Sequence, residues 1–135
     1  MGDPWRIGLL LGAVANLANA AWMLVDPAGW YLYLPAAVPD TGPFNAHFVR
    51  DVGSAFAVMG LALAFGALRP ALRVPSLAFA SGFYVLHALV HVADTAAGRL
   101  PASHWWIDLP GVYVPALVML GVTALAARTA PRNPA

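Results

Sequence analysis

The chain has 135 residues, of which 61% are hydrophobic and 10% are charged. A soluble domain has about 25% charged residues, and a small domain needs them to cover its relatively large surface. Seven basic plus six acidic residues, thirteen in all, therefore exclude an ordinary soluble fold, and the high hydrophobicity excludes a disordered chain. The lack of cysteine excludes disulfides, iron–sulfur clusters and thiolate zinc sites. A net charge of +1 provides no electrostatic basis for nucleic-acid binding.

Four uncharged apolar segments indicate an integral membrane protein: residues 7–25, 52–68, 74–92 and 109–127. Each can cross roughly 30 Å of hydrocarbon at about 1.5 Å per residue, the second with help from its polar first turn. Since backbone groups in lipid must hydrogen-bond internally, these segments should be helices. The sequence therefore predicts an all-α integral membrane four-helix bundle that forms a single domain over residues 1–135. The predicted transmembrane helices are about 7–25, 45–68, 74–94 and 109–127, with outer loops at 26–44 and 95–108 and an inner loop at 69–73.

The first segment has a second interpretation. Ala18-Asn19-Ala20 follows an apolar run and fits the small-residue cleavage site of a secretory signal peptide, so residues 1–20 are alternatively a cleaved signal. However, a single basic residue, Arg6, precedes the run, and the run continues to Val25. Both features favour a retained helix.

The distribution of arginine predicts that both termini are cytoplasmic. In that orientation five arginines lie inside and two outside, as the positive-inside rule requires. The inner set is Arg6, Arg69, Arg73, Arg128 and Arg132, and the outer set is Arg50 and Arg99. Every basic residue is Arg, every acidic residue is Asp, and alanine is abundant, a usage typical of GC-rich bacterial genomes. We therefore expect a multi-pass protein of the bacterial inner membrane.

Aromatic residues are concentrated in the two predicted outer loops. They are typical of an aromatic belt at the membrane interface, and the alternative is an aromatic cage around a cationic ligand. The residues concerned are Trp30, Tyr31, Tyr33, Trp105 and Trp106.

Ionisable residues within the apolar segments indicate a site, because such residues are costly in lipid and mark function by default. His87, His91 and Asp94 have the spacing i, i+4, i+7, so they share one face of the third predicted helix. His47 and Asp51 form a similar stripe on the second. Because these two helices are antiparallel neighbours, both stripes lie near their outer ends at comparable depth.

Three imidazoles and two carboxylates form a donor set for a divalent metal. Two histidines four residues apart on one helix can bind a single ion, and nitrogen and oxygen donors without sulfur suit Zn or Fe. The sequence predicts a metal site at His47, Asp51, His87, His91 and Asp94. If the protein is an enzyme, a metal-bound water is the reactive group. Hydrolase and oxidoreductase both stay open, with a lipid or small apolar substrate that enters sideways from the bilayer.

Two other functions compete with this one. A bis-histidine haem needs ligands on different helices at one depth, and His47 with His87 or His91 would meet that condition. Four short helices enclose little volume, which ranks haem below a single ion. Alternatively the polar residues only hydrogen-bond between helices, in a non-enzymatic subunit or transport helper. That structural role is also the expectation for His104 in the second outer loop. A GxxxG sequence at Gly8–Gly12 permits close helix approach and favours a homo-oligomer.

Two resemblances to known families are present. Arg50-Asp51-Val52-Gly53, followed by an apolar run with Gly60 and Leu61, resembles the second helix of small DoxX-like bacterial membrane proteins. The resemblance covers about twenty residues and implies a four-helix membrane fold and a redox association. The His/Asp pattern of the third helix lies outside that resemblance. Its chemistry is similar to that of the seven-helix membrane hydrolases that include alkaline ceramidases and adiponectin-type receptors.

Overall fold

The structure, a computed structural model, describes residues 3–129, and these are helical without any β-strand. Four helices are long and apolar enough to cross a membrane. They are α1 (Pro4–Val25), α3 (Ala46–Leu68), α4 (Arg73–Ala96) and α6 (Val114–Thr129), the last preceded by a π-helical turn, Leu109–Tyr113. The prediction of an all-α protein with four apolar spans is confirmed to this extent. Arg132 lies outside the described residues.

The two segments predicted as outer loops contain short helices. Residues 26–44 include α2 (Pro27–Tyr33) and a 3-10 turn, Val38–Thr41. Residues 95–108 include α5 (His104–Ile107), which leads directly into the π-helical turn. Both short helices lie at the end of the bundle where α1 and α4 end and α3 begins, which we call the loop end. The opposite end, with the tight Pro70–Leu72 connection, is the turn end.

Side-chain caps fix where three of the helices start, because the first amides of a helix have no partners within it. The Asp3 carboxylate accepts a hydrogen bond from the Trp5 amide at the start of α1. Asp26 ends α1 and accepts from the Gly29 amide at the start of α2. The Asn45 side chain accepts hydrogen bonds from the first amides of α3. Polar residues at the predicted span boundaries therefore define the helix ends.

Chain-adjacent long helices pack as neighbours: α1 against α3, α3 against α4, and α4 against α6. The buried core lies toward the turn end and brings all four helices together. Its members are Leu9, Ala13, Leu63, Ala67, Leu77, Ala80 and Ala126. The loop end contains a cavity whose lining includes polar side chains.

Glycines of α3 set the close packing of α1 on α3. A Cβ at Gly60 would lie 2.7 Å from Leu17 Cγ and 3.1 Å from the Ala13 carbonyl oxygen. The equivalent atom at Gly53 would lie 2.8 Å from Met23 Cβ. In the GxxxG sequence of α1, Gly8 has open space around it, and a Cβ at Gly12 would lie 3.3 Å from Leu63 Cδ1 on α3, a longer approach than at Gly53 or Gly60. The closest small-residue contacts are thus made by the partner helix.

The surface around the bundle is apolar. Large hydrophobic side chains such as Leu11, Val14, Leu86 and Leu117 are each more than 60% exposed. A contiguous apolar surface on this scale is typical of a face that contacts lipid or another protein.

At the turn end, an ion pair joins the start of α1 to the start of α4. The Arg73 guanidinium donates a hydrogen bond to the Asp3 carboxylate and lies 5.8 Å from the centre of the Trp5 ring. Partial desolvation acts to raise the pKa of Asp3. The hydrogen bonds from Arg73 and the Trp5 amide, with the positive charge of Arg73, outweigh it and hold that pKa below its ordinary value.

Candidate metal centre and its cavity

A compact group of His91, His104 and Asp108 lies at the loop end. One ligand atom from each residue can be chosen so that all three atoms lie within 4.8 Å of one another. His104 and Asp108 are 0% and 1% exposed, and His91 is largely buried. Among residues 3–129, these three side chains are the group whose ligand atoms lie close enough together to hold a metal ion.

Local helix geometry positions two of these residues. His104 is the first residue of α5, and Asp108, four residues later, is its C-cap. This spacing places both side chains on one face of the turn. The chain continues as a wider π turn with Pro110 near its start, in which the Tyr113 amide donates to the Asp108 carbonyl. Single π turns of this kind are frequent at functional sites.

The Asp108 carboxylate connects the two histidines. Its Oδ2 lies 2.7 Å from His91 Nδ1, and both of its oxygens lie 3.2 Å from His104 Nδ1. The other ring nitrogen of His104, Nε2, lies 3.3 Å from Asp40 Oδ2. The result is a continuous row, Asp40–His104–Asp108–His91, from a half-exposed carboxylate to the bundle interior.

The charges in this row require compensation. An ionised carboxylate only accepts hydrogen bonds, and a neutral imidazole has a single N–H. His104 faces a carboxylate at each ring nitrogen, so a neutral ring would direct one lone pair at a carboxylate oxygen. Among residues 3–129, arginine pairs with Asp3 and Asp94 and with neither Asp40 nor Asp108. Either protons or a metal cation must therefore supply the positive charge between these groups.

His87 extends the row of rings by one helical turn. Its ring lies edge-on to His91 with centroids 4.7 Å apart, and it stacks on Phe83 at 5.7 Å. No hydrogen bond joins its nitrogens to any of residues 3–129. His87 lines the cavity and leaves its polar atoms available to a ligand.

The cavity beside this group has a volume of about 970 Å³. It lies between α1, α3 and α4, with α2 and the π-helical turn closing its sides. Two hydrogen bonds hold its walls together. Tyr84 on α4 donates to Asn16 on α1 at 3.0 Å, and the Trp30 indole on α2 donates to Asn19 on α1 at 2.9 Å. His91 and Asp108 form part of its lining, whereas His104 lies behind them.

Of the five predicted ligands, the structure brings His91 into the compact group. His87 contacts His91 and lines the cavity. Asp94 also lines the cavity, and its carboxylate accepts a hydrogen bond of 2.7 Å from Arg99. His47 and Asp51 pair with each other at 3.5 Å, and their side chains are 89% and 63% exposed. The α3 stripe therefore lies at the rim and apart from the compact group.

The bis-histidine haem alternative required His47 beside one of the α4 histidines. The exposed His47 ring does not line the cavity, so these histidines do not face each other across it.

Sequence reasoning missed His104, Asp108 and Asp40, which it placed in outer loops. One signal was available: His104 and Asp108 have the same i, i+4 spacing as His47 and Asp51, and apolar residues separate them. Their burial depends on how α5 packs against the end of α4, which no local pattern specifies.

The predicted aromatic belt divides into two sets. Trp30 and Tyr31 line the cavity, and the Tyr31 hydroxyl donates to the Gly42 carbonyl at 2.8 Å. Tyr33 and Trp106 are each 75% exposed. Trp30 and Tyr31 therefore form part of the cavity wall, whereas Tyr33 and Trp106 are exposed, as residues at a membrane interface would be.

Comparison with protein-family models, curated proteins and solved structures finds no significant match to this chain. The geometry of the side chains is therefore the basis on which a function is assigned.

Proposed function

We propose that this protein is a multi-pass membrane protein of the bacterial inner membrane with a mononuclear zinc centre at its outer side. The ligands are His91, His104 and Asp108, and a metal-bound water would make the protein a hydrolase. The observation that supports this most directly is the buried His104 ring, which has a carboxylate at each nitrogen. A divalent cation between His104 Nδ1 and Asp108 supplies the charge that this arrangement lacks.

The distances suit a zinc ion with small adjustments. Ligand atoms bound at about 2.0–2.2 Å in tetrahedral geometry lie about 3.4 Å from one another. The contact between His104 Nδ1 and Asp108 is 3.2 Å, and that between His91 Nδ1 and Asp108 is 2.7 Å. The second contact would need to open by about 0.7 Å to reach that separation, through a small movement of the His91 side chain. Two histidines and one carboxylate leave the fourth position open, as in catalytic zinc sites.

Asp40 fits the role of a supporting carboxylate. Metal-bound histidines usually donate their other N–H to a carboxylate, which fixes the tautomer and orients the ring. Asp40 lies 3.3 Å from His104 Nε2 and would hold the proton there, so that Nδ1 faces the metal. The open position would then face the cavity, because His91 and Asp108 line it and His104 does not.

The test is the metal content of the protein purified in mild detergent, measured by inductively coupled plasma mass spectrometry. We expect about one zinc per chain in the wild type and less than a tenth of that in His91→Ala and Asp108→Asn. His47→Ala is the matched control, since it removes an exposed histidine outside the group, and it should retain zinc. Circular dichroism and size-exclusion chromatography check that each variant is folded. Zinc-free wild type that cannot be reloaded, or equal loss in His47→Ala, refutes the proposed centre.

The donor set also favours a second candidate, an iron-dependent oxidoreductase. Two histidines and one carboxylate with open positions form the facial triad of non-haem Fe(II) oxygenases. Iron in the anaerobically purified protein, with zinc absent, would favour this candidate. The same two ligand variants, His91→Ala and Asp108→Asn, would then lose iron.

A third function is a metal-free polar network, and the hydrogen-bonding distances in the row support it. Protons on the histidines would then compensate Asp40 and Asp108, and the cluster would hold α4, α5 and the loop end together. A folded wild type without any metal, together with large destabilisation by Asp108→Asn, is the result expected for that function.

The membrane orientation we propose is cytoplasmic for both termini. Among the described residues Arg6, Arg69, Arg73 and Arg128 lie at the turn end, and Arg50 and Arg99 lie at the loop end, as the positive-inside rule favours. Because the chain has no cysteine, a single introduced cysteine reports its own accessibility. In intact cells a membrane-impermeant thiol reagent should label Ala102→Cys and leave Ala71→Cys unlabelled. The opposite pattern contradicts the orientation.

A further inference from the structure

An apolar groove between α3 and α4 lies beside the cavity. The groove has a volume of about 610 Å³ and is lined by residues such as Val58, Phe79 and Leu86. It shares Ala55 and Phe83 with the cavity, so the two spaces meet at these side chains. Leu86 and Phe79 are 67% and 54% exposed, which places the groove on the outer face of the bundle.

The histidine and aspartate side chains that line the cavity lie toward the loop end from Ala55 and Phe83, the side chains that both spaces share. His87 leaves its ring nitrogens available, and its ring stacks on Phe83, the side chain at the junction. A molecule that occupied both spaces would therefore have an apolar tail between α3 and α4 and a hydrogen-bonding head beside His87.

The charges that face the cavity select against an anionic head. Asp51, Asp94 and Asp108 are part of its lining, and no arginine is part of it. Asp94 is paired with Arg99 outside the lining, while Asp51 has only an exposed histidine beside it. Arg99 compensates Asp94 and the proposed zinc ion would compensate Asp108, so Asp51 is the lining carboxylate that would repel a negatively charged head group, whereas a hydroxyl or carbonyl head would not be repelled.

We propose that the cavity and groove together bind one electrically neutral, single-chain amphiphile, with its acyl chain between α3 and α4 and its hydroxyl or carbonyl head beside His87. The volume of the cavity is at the upper end of the range of about 300–1,000 Å³ typical of small-molecule sites. The open side of the groove allows such a molecule to enter laterally from the bilayer. The inference rests on the proposed membrane insertion and names the substrate class of the proposed zinc site, but binding itself does not require zinc.

Glycines that face open space provide variants that fill these volumes without a clash. A Cβ at Gly111, in the cavity lining, or at Gly82, in the groove lining, meets no atom within 4 Å. Gly121 on α6 has the same open surroundings and lines neither space, so it is the matched control. Gly111→Leu adds a side chain to the cavity lining, Gly82→Leu adds one to the groove lining, and Gly121→Leu adds the same side chain elsewhere.

The experiment is photolabelling in liposomes with a diazirine-bearing monoacylglycerol and with the fatty acid of the same chain. We expect saturable labelling of the wild type at one monoacylglycerol per protein, with adducts on α3 and α4 near Ala55 or Phe83. Gly111→Leu and Gly82→Leu should reduce labelling at least tenfold, and Gly121→Leu should leave it unchanged. The ionised fatty acid should label at least tenfold less than the neutral probe.

Three results would overturn this inference: undiminished labelling of Gly111→Leu, equal labelling by the fatty acid, or wild-type adducts spread over outward residues such as Leu11 and Leu117. Mapping the adducts on the wild type keeps the test decisive even where a variant fails to fold. Labelling that persists after zinc is removed with a chelator separates lipid binding from the metal centre. Zinc retained in Gly111→Leu shows, conversely, that the metal centre does not depend on lipid binding. Flotation of the liposomes checks membrane insertion independently.

Discussion

His91 Nδ1 and Asp108 Oδ2 lie 2.7 Å apart although 17 residues separate them in the chain. The contact joins the last turns of α4 to the segment that leads into α6. Since Asp108 also contacts His104, one buried carboxylate connects two histidines from different helices at the edge of a large cavity. The predictions below test the proposed roles of this group and of the packing that positions it.

Asp40→Asn should weaken zinc binding about 10- to 100-fold without abolishing it, as is usual for loss of a supporting carboxylate. The amide can no longer accept the His104 Nε2 proton as a charged group does, so His104 is oriented less firmly. Competition with a zinc-selective chelator measures the affinity. Asp51→Asn removes a carboxylate from the rim, outside the compact group, and is expected to bind zinc as the wild type does. Equal affinities of Asp40→Asn and wild type would contradict the role assigned to Asp40.

Gly60→Ala should destabilise the protein by about 1–3 kcal/mol, the usual cost of forcing extra volume into a packed interface. The added methyl group would lie 2.7 Å from Leu17 Cγ and 3.1 Å from the Ala13 carbonyl, so α1 and α3 must move apart. The free energy of unfolding is measured by denaturant titration in mixed micelles. Gly121→Ala is the control, because its methyl group meets open space and alanine is the better helix former. If the two variants are equally stable, the close α1–α3 packing is refuted.

Tyr84→Phe should reduce stability by about 0.6 kcal/mol, the mean for a hydrogen bond between membrane helices. The hydroxyl donates to Asn16 Oδ1 at 3.0 Å and is a direct link between α1 and α4 across the cavity. Phe retains the ring, so the packing beside Phe83 is preserved. The same micelle titration measures the effect, and a loss above about 2 kcal/mol would show that the bond has a larger role than interhelical attachment.

Asp3→Asn should cause a small loss of stability at neutral pH that disappears in acid. The pKa of Asp3 is lower in the folded protein than its ordinary value of 3.8, so its contribution is complete above that value. The contribution is lost as the pH falls through the folded pKa, because the protonated carboxyl no longer pairs with Arg73. Melting temperatures of wild type and variant should differ near pH 7 and converge once the pH lies below the folded pKa of Asp3. A difference that persists unchanged in acid contradicts the ion pair.

The sequence predicted an all-helical fold with four long apolar helices, because an uncharged apolar segment long enough to cross a membrane must satisfy its own backbone hydrogen bonds. The caps at Asp3, Asp26 and Asn45 were not predicted, although each is a capping residue type immediately before a helix. The α4 stripe was visible because the helical period places His87, His91 and Asp94 on one face whatever the surrounding structure is.

The membership of the candidate site was decided by tertiary structure. His47 and Asp51 have the same spacing as His104 and Asp108, yet the first pair is exposed and the second is buried. Spacing places two residues on one face of a helix but does not determine what that face packs against. The short helix α5 packs with His104 and Asp108 directed toward the end of α4. This long-range packing, rather than any local pattern, brings Asp108 to His91.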